Sequence, residues 1–265
     1  MPRTTLIEEL SAGVLLITLN RPERKNAFNH QLWCDFRDAL AEAQVSDAVR
    51  VVVVTGAGDA FSAGQDLSEM LGGGPAESGT EHGFSSFMDR LCSFDKPLLA
   101  AVNGVGVGIG LTLLLHCEYV YIARGARLRA PFVTLGVVPE AASSYLLPAL
   151  IGFRSAIDLL FESDFISAER AVELGIATQL CEPGALLPTA LERARRLAMK
   201  PLGSLRWTKR LLLATRQEQV AAARRREDEA FVHRVGSPEN LEAVSAFFAK
   251  RSPDFSNVPP TDREQ

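Results

Sequence analysis

The sequence predicts an α/β fold, because short aliphatic runs typical of buried strands alternate with segments of helical periodicity. Val14–Leu19, the β-branched run Val51–Gly56 and the run at residues 97–102 each indicate a strand. Between the first two, apolar residues recur at helical spacing over residues 31–43. The chain has 265 residues, 47% of them hydrophobic, so it can bury a sizeable core in one large domain or in one domain with a helical appendix.

Composition argues against several classes of function. The net charge of −4 gives no electrostatic basis for binding nucleic acid. No apolar run reaches roughly 18 residues, and the N-terminus lacks the apolar core of a signal peptide, so we expect a soluble, cytoplasmic protein with no membrane partner. The 4 cysteines are widely spaced without a C-x-x-C pair, which argues against a metal site and fits unpaired thiols in a reducing compartment. They are Cys34, Cys92, Cys117 and Cys181.

The strand at residues 97–102 runs into a glycine-rich stretch at 103–110, and the apolar residues 111–116 behind it indicate a buried helix. A strand that breaks into glycines and restarts as a helix directs unpaired backbone N–H groups at whatever lies before the helix. The helix dipole favours negative charge at the same place. The pattern therefore predicts an anion site made of backbone.

Residues 60–67 form a second junction of the same kind, which directs the N–H of Gln65 into the same space. Two such donors are what an oxyanion hole needs. Taken singly, each junction is more often a pair of ordinary turn glycines.

Glu140 follows the first junction by about thirty residues and stands between Pro139 and the small residues 141–144. We interpret the two junctions as holding an oxyanion while Glu140 moves a proton beside it. The alternative is that Glu140 is a first-turn carboxylate that stabilises the dipole of the following helix, and spacing alone gives the two interpretations equal weight.

Two loops have open interpretations. The basic cluster of Arg21, Arg24 and Lys25 could meet phosphates, or it is a solvated loop. Residues 71–79 are rich in glycine and are a candidate flap over a site, or an ordinary surface loop.

Beyond Glu140 the pattern is mostly helical, with helices expected at residues 156–160, 167–174 and 188–199. Ser167 is a plausible N-cap, and Gly175 suits the position after the helix end. The mixed charges of residues 224–229 indicate a solvated helix face.

Several cofactor and nucleophile motifs are absent from the sequence. The glycines at 104, 106, 108 and 110 alternate, so the dinucleotide fingerprint is not met, and no Walker A lysine follows them. There is no G-x-S-x-G elbow and no H-E-x-x-H metal motif. His116 lies in an apolar helix, where a satisfied core histidine is the favoured interpretation.

Motifs across nearly the whole chain resemble, in order and spacing, the crotonase (enoyl-CoA hydratase/isomerase) superfamily. The resemblance implies an α/β spiral of ββα units over residues 1–200 and a C-terminal helical region, 201–265, that assembles trimers or hexamers. The motifs are Asn20-Arg21-Pro22 and the segments 26–28, 61–67, 97–110, 136–139, 168–175 and 247–251.

The same resemblance implies a coenzyme A thioester as substrate, no separate cofactor, and a role in fatty acid metabolism such as β-oxidation. It also implies that the N–H groups of Gln65 and Ile109 hold the thioester oxygen. The residues expected to contact coenzyme A are Arg24, Lys25, Ala27, Ala63, Gly64, Asp66, Leu67 and Lys250.

The sequence departs from the hydratases of this superfamily at their two glutamates, where it has Thr112 and Phe132. Neither side chain titrates in the useful range, so hydration by the family's route is not favoured. The segment around Glu140 is instead similar to the Δ3,Δ2-enoyl-CoA isomerases, which implies Glu140 as the catalytic acid and base, with Thr112 and Phe132 as walls of an acyl pocket. The alternatives are a hydratase or another crotonase-type lyase or hydrolase, and a non-catalytic acyl-CoA or RNA-binding relative.

Overall fold

The computed structural model describes residues 4–71 and 83–259, which are built around two β-sheets. The larger sheet has the strand order β1-β2-β3-β5-β7-β10, and its pairs are parallel except for β1 with β2. Its strands are β1 (Thr5–Leu10), β2 (Val14–Leu19), β3 (Val51–Gly56), β5 (Leu98–Val102), β7 (Tyr119–Ala123) and β10 (Gln179–Cys181).

The smaller sheet interleaves with the larger one along the chain. Its order is β4-β6-β8-β9, and it consists of β4 (Ala60–Ser62), β6 (Val105–Val107), β8 (Arg127–Arg129) and β9 (Ile166–Ser167). A strand of the large sheet is therefore followed by a strand of the small sheet in the pairs β3 and β4, β5 and β6, and β7 and β8. A helical segment follows each of these three pairs, which confirms the predicted α/β spiral of ββα units.

Helices pack around the sheets and form most of the chain after Glu140. Within the described residues they are α1 (His30–Val45), α2 (Leu67–Leu71), α3 (Gly83–Ser93), α4 (Ile109–Thr112), α5 (Ser143–Ile151), α6 (Phe153–Glu162), α7 (Ala168–Glu173), α8 (Leu186–Ala198), α9 (Leu202–Ala214), α10 (Gln217–Arg234) and α11 (Pro238–Phe248). Of these helices, none is long and apolar enough to cross a membrane.

Strand β3 forms the centre of the core because both of its faces are covered. All of its residues are buried, and it is flanked in parallel by β2 and β5. A strand covered on both faces needs no polar side, which explains its four consecutive valines. The predicted strands at 14–19, 51–56 and 97–102 and the predicted helix at 31–43 are confirmed.

Two elements differ from the sequence-based expectation. The glycine-rich stretch contains the short strand β6, which pairs in parallel with β4 and β8, because glycine still supplies backbone groups for pairing. The expected helix at 111–116 is α4 followed by a 3-10 turn, Leu113–His116. Ser167 caps α7 by accepting from the Arg170 N–H, and Gly175 follows the helix end with φ +80°, as predicted.

The C-terminal helices are joined to the sheets by charged contacts. Asp95, just before β5, is 3% exposed and accepts hydrogen bonds from Arg206 and Arg210 of α9. Lys209 donates to the Lys96 carbonyl at 2.8 Å and pairs with Glu118 at 2.9 Å. The division of the chain at residue 200 stays a prediction, and residues 72–82, where most of the expected flap falls, lie outside the described part.

Lys96 is 1% exposed and holds the end of α1 against the start of β5. Its Nζ donates to the carbonyls of Ala43, Ser46 and Val49, each at 2.7 Å. Ala43 is in the last turn of α1, and Ser46 and Val49 follow the helix end, so the ammonium group connects three carbonyls across this turn.

We predict that Lys96→Met lowers the free energy of unfolding by about 3 kcal/mol or more, because buried carbonyls lose their donor. The measurement is urea denaturation of the variant and of Lys200→Met, an exposed lysine, which should stay within about 0.5 kcal/mol of the wild type. Equal stability of the two variants would contradict this role of Lys96.

Candidate active site

The two predicted donor junctions lie side by side because the strands before them are paired. Strand β4 runs parallel to β6, with Ser62 opposite Gly106. After the strands, Gly64 has φ +91° and Gly108 has φ +54°. A Cβ placed on Gly64 would lie 2.8 Å from the Val107 carbonyl oxygen. The two glycine turns are therefore in direct contact, and Gln65 and Ile109 follow them.

Within the described residues, the N–H groups of Gln65 and Ile109 donate to no protein acceptor, whereas neighbouring N–H groups do. The Asp66 N–H donates to the Phe28 carbonyl at 2.9 Å, and the Leu111 N–H donates to the Gly108 carbonyl at 2.8 Å. Ile109 is the first residue of α4, so its N–H has no partner in the helix. The structure thus brings together two unpaired backbone donors.

Contacts with α1 and with the loop before α1 hold Gln65 in place. The Phe28 N–H donates to the Gly64 carbonyl at 2.7 Å, which forms a parallel bridge between Phe28 and Gln65. The Gln65 side-chain oxygen accepts from Trp33 Nε1 at 3.1 Å. These contacts fix the direction of the backbone from which the first donor projects.

Most of the residues expected to contact coenzyme A lie together. The Ala63 N–H donates to the Lys25 carbonyl at 2.8 Å, and Arg21 pairs with Asp66 at 3.0 Å, so the loop at 24–27 lies against the turn at 63–67. Arg24 and Lys25 are exposed, whereas Ala27 and Gly64 are buried. Asp66 and Leu67 are partly buried.

Lys250 is exposed and follows α11. In the described part of the chain, no hydrogen bond or ion pair joins its side chain to the loop at 24–27 or the turn at 63–67.

Thr112 and Phe132, the expected walls of an acyl pocket, are both in the interior. Thr112 ends α4 and is fully buried, and its hydroxyl has no hydrogen-bond partner within the described residues. Phe132 is 5% exposed and precedes the 3-10 turn Val133–Leu135. Neither side chain can exchange a proton at neutral pH.

Glu140 lies in the loop before α5 and is partly buried. No hydrogen bond to its carboxylate is found among the residues that the structure describes. Burial raises the pKa of Glu140 to about 8, and the negative charges of Glu227 and Asp228 act in the same direction. A carboxylate with few donors and little solvent is a strong base for its type.

Glu227 is the residue that the sequence interpretation placed wrongly. The charged run at 224–229 was expected to be a solvated face, but Glu227 is 6% exposed. It accepts hydrogen bonds from the Ala142 N–H at 2.7 Å and the Ser144 N–H at 2.8 Å. The signal that could have found it is the apolar stripe of α10, in which Val220, Ala223 and Phe231 pack on the core and Glu227 occupies a position of the same face.

His116 contacts the same loop from the opposite direction. It is 8% exposed, and its Nε2 donates to the Ala141 carbonyl at 2.9 Å. Burial lowers the pKa of His116 to about 4, so the ring is neutral at pH 7 and carries its proton on Nε2. The interpretation of His116 as a satisfied core histidine is confirmed.

Comparison with known proteins gives consistent results. The sequence profile described as enoyl-CoA hydratase/isomerase matches residues 9–258. A 1,2-epoxyphenylacetyl-CoA isomerase of Escherichia coli (strain K12) is 34% identical over 95% of this chain and 98% of the relative. A 2,3-dehydroadipyl-CoA hydratase of the same strain is 32% identical over 94% of this chain and 98% of the relative. A solved enoyl-CoA hydratase/isomerase from Pseudoalteromonas atlantica T6c has a TM-score of 0.90 and 37% identity, with 96% of this chain and all of that one covered.

We predict that Gly64→Ala is more destabilising than Gly125→Ala, although the two glycines have nearly the same φ, +91° and +89°. Gly125 has open space around it, so its variant carries only backbone strain, about 1 kcal/mol. The Gly64 variant also forces its Cβ against the Val107 carbonyl, which adds at least about 1–3 kcal/mol. Urea denaturation measures both, and equal losses would contradict the close contact of the two turns.

We also predict that Glu140→Gln stabilises the protein at high pH. The pKa of Glu140 is about 8 in the folded chain, above the ordinary value of 4.5, so between these pH values the folded state keeps a proton that the unfolded chain releases. Stability from this group is therefore present below pH 4.5 and is lost as the pH rises through 8.

The variant lacks this titration, so its melting temperature should match the wild type near pH 5 and exceed it by about 4 °C or more near pH 9. Thermal melts across this range measure the difference, with Glu162→Gln, an exposed position, as the matched control. A difference that does not change with pH would contradict the burial of Glu140.

Proposed function

Since the chain belongs to the enoyl-CoA hydratase/isomerase family and is an acyl-CoA-processing enzyme of the crotonase superfamily, we propose that it shifts a double bond as a Δ3,Δ2-enoyl-CoA isomerase. The observation that carries the proposal is which of the candidate side chains can exchange a proton. Glu140 is a carboxylate with a raised pKa, whereas Thr112 and Phe132 occupy the places of the two glutamates in the hydratases that the sequence resembles.

The proposed reaction starts with polarisation of the thioester carbonyl. Its oxygen accepts hydrogen bonds from the N–H groups of Gln65 and Ile109, which the protein leaves unpaired. These donors stabilise the negative charge that develops when a C2 proton is removed. Losing one such donor raises the activation barrier by about 3–4 kcal/mol in other enzymes. The donors therefore contribute more to catalysis than a modest shift in the pKa of the base.

Glu140 then moves one proton along the acyl chain. It removes the proton from C2 of the 3-enoyl-CoA, the electron pair delocalises into a dienolate, and the protonated acid returns the proton at C4. C2 and C4 are roughly 2.5 Å apart by ordinary bond geometry, so one carboxyl group reaches both. No water enters the product, and the proton count is unchanged.

The surroundings of Glu140 support this role. A partly buried carboxyl with a pKa of about 8 takes up a proton more readily than an ordinary glutamate, and this pKa is close enough to neutral pH for the group to give the proton back. In the proposed complex, the buried Thr112 and Phe132 form walls of the acyl pocket and keep water away from the dienolate.

The alternative role of Glu140 as a cap of the next helix is less well supported. The N-cap residue of α5 is Ala142, and the side chain that accepts from the N–H groups at this helix start is Glu227. Glu140 is therefore not needed for capping, and its carboxylate remains available to a substrate.

We place coenzyme A along the loop at 24–27 and the turn at 63–67, where Arg24 and Lys25 are exposed and can meet phosphates. Lys250 is proposed to approach the nucleotide. We also propose a homotrimer, or a hexamer made of trimers. The support is the exposed apolar surface of α9, where Trp207, Leu211 and Leu212 are each more than 60% exposed.

Hydration is the second candidate, because one observation favours it. Glu227 is a second buried carboxylate near Glu140, and hydration needs one group to activate water and another to manage the proton. Both of its oxygens accept a backbone N–H, however, which leaves Glu227 poorly placed to activate water. The isomerase is therefore the favoured function.

We predict that the purified protein converts 3-enoyl-CoA into 2-enoyl-CoA in ¹⁸O-labelled water without incorporating the label. Glu140→Gln should lower kcat/KM by at least about 10²-fold to 10⁴-fold, since general acid–base catalysis contributes this much. Glu162→Gln, on the exposed surface of α6, should keep wild-type activity. Labelled product, or full activity of the Glu140 variant, would refute the isomerase.

A further inference from the structure

The turn that carries Glu140 has an unfavourable backbone. Ala141 and Ala142 have φ values of +60° and +59°, and both carry a Cβ. Each residue in this left-handed region costs about 1–2 kcal/mol relative to the right-handed one. Two such residues in succession keep their shape only if surrounding contacts fix them, so the contacts of this turn decide where the Glu140 side chain points.

Glu227 is one of the residues whose hydrogen bonds fix this turn. Its two carboxylate oxygens accept from different residues, Oε2 from the Ala142 N–H and Oε1 from the Ser144 N–H. These N–H groups lie at the start of α5, where Ala142 cannot cap the helix with its own side chain. A charged acceptor with two N–H bonds in the interior is a strong and geometrically specific contact.

His116 is the second residue that fixes the turn, because it donates a hydrogen bond to the Ala141 carbonyl. It ends the 3-10 turn that continues directly from α4, which begins at Ile109. One helical segment therefore carries a candidate oxyanion donor at its start and holds the turn after Glu140 at its end. The turn is therefore attached to the donor segment through His116 and to the C-terminal helix α10 through Glu227.

We infer that Glu227 is a positioning residue: its carboxylate fixes the turn at 140–144 so that Glu140 faces the donors, and this inference rests on the proposed isomerase function. Glu227 takes no proton from the substrate in this scheme, because its oxygens are engaged by the backbone. It acts on the rate through the orientation of Glu140.

The negative charge of Glu227 also raises the pKa of Glu140. The groups that act on Glu140 are Glu227 and Asp228, both on α10. Asp228 in turn lies near Arg224 and Asp89, and these two form an ion pair at 2.8 Å. His116 is neutral and adds no charge to the turn.

Burial raises the pKa of Glu227 above its ordinary value, and the hydrogen bonds from the Ser144 and Ala142 N–H groups act in the opposite direction. Glu140 has no such donors, so Glu227 is the carboxyl of the two that ionises first. Its charge therefore keeps the proton on Glu140 at higher pH.

The test compares Glu227→Gln and Glu227→Asp with Glu229→Gln, an exposed control on the same helix. The amide of Glu227→Gln can accept one N–H but turns its own donor towards the other. We expect kcat to fall about 10-fold to 100-fold with little change in KM, since a small misplacement of a reacting group costs this much. The apparent pKa in the pH profile of kcat/KM should also fall.

Glu227→Asp keeps the charge but shortens the reach, so we expect it to lose rate while the apparent pKa stays closer to that of the wild type. Hydrogen exchange of the Ala142 and Ser144 amides should accelerate in both variants. Wild-type kcat and an unchanged pH profile in Glu227→Gln would overturn the inference, and so would a loss of thermal stability with unchanged kinetics.

The two proposals fail in different ways. If the wild type does not isomerise 3-enoyl-CoA, the proposed function is wrong, and the amide exchange and the pH dependence of stability still test whether Glu227 fixes the turn and raises the pKa of Glu140. If Glu140→Gln is inactive but Glu227→Gln behaves like Glu229→Gln, only the positioning role is wrong.

Discussion

The close parallel pairing of β4 with β6 is the constraint on which the site depends. It places two strand ends side by side, and the contact between Gly64 and the Val107 carbonyl leaves no room for a side chain between the turns that follow. Two backbone N–H groups from distant parts of the sequence thereby become neighbours. A donor pair made of backbone cannot rotate away as a side chain can, so its geometry is set by the fold itself.

Glu140, the proposed base, stands in a turn that has several locally unfavourable features. Glu140 is partly withdrawn from solvent, the two residues after it have left-handed backbone, and a second carboxylate lies nearby. Each feature is unfavourable alone. They persist because the turn is tied by hydrogen bonds to His116 and Glu227, and because α9 is held to the sheets by Asp95 and Lys209.

Much of the fold could be predicted from local sequence, because buried strands such as β3 are unbroken aliphatic runs and amphipathic helices such as α1 repeat with a clear period. The donor junctions were also predictable, since a glycine between a strand and a helix restricts the backbone in a recognisable way. The short strand β6 was not, because its pairing depends on β4 and β8, which are distant in sequence. Strand β1 was missed as well, since its partner β2 supplies the pattern that defines it.

The apolar stripe of α10 could have indicated that Glu227 is buried, but its hydrogen-bond partners could not be predicted because they lie far away in the sequence. In the sequence it belongs to a run of charges, and nothing within that run says that α10 turns this one carboxylate towards the start of α5. The general assignment of Glu140 came from its family resemblance, whereas the pKa of its carboxyl follows from packing by residues far along the chain.

The location of Glu227 on α10 has a consequence for how proteins of this architecture can diverge. A recombinant chain that takes residues 1–200 from this protein and its last helices from a relative would keep both backbone donors and the loop with Glu140. It would, however, exchange the carboxylate that accepts the Ala142 and Ser144 N–H groups. If Glu227 positions Glu140 as we infer, swapping the C-terminal segment alters the candidate site even though residues 1–200 are unchanged.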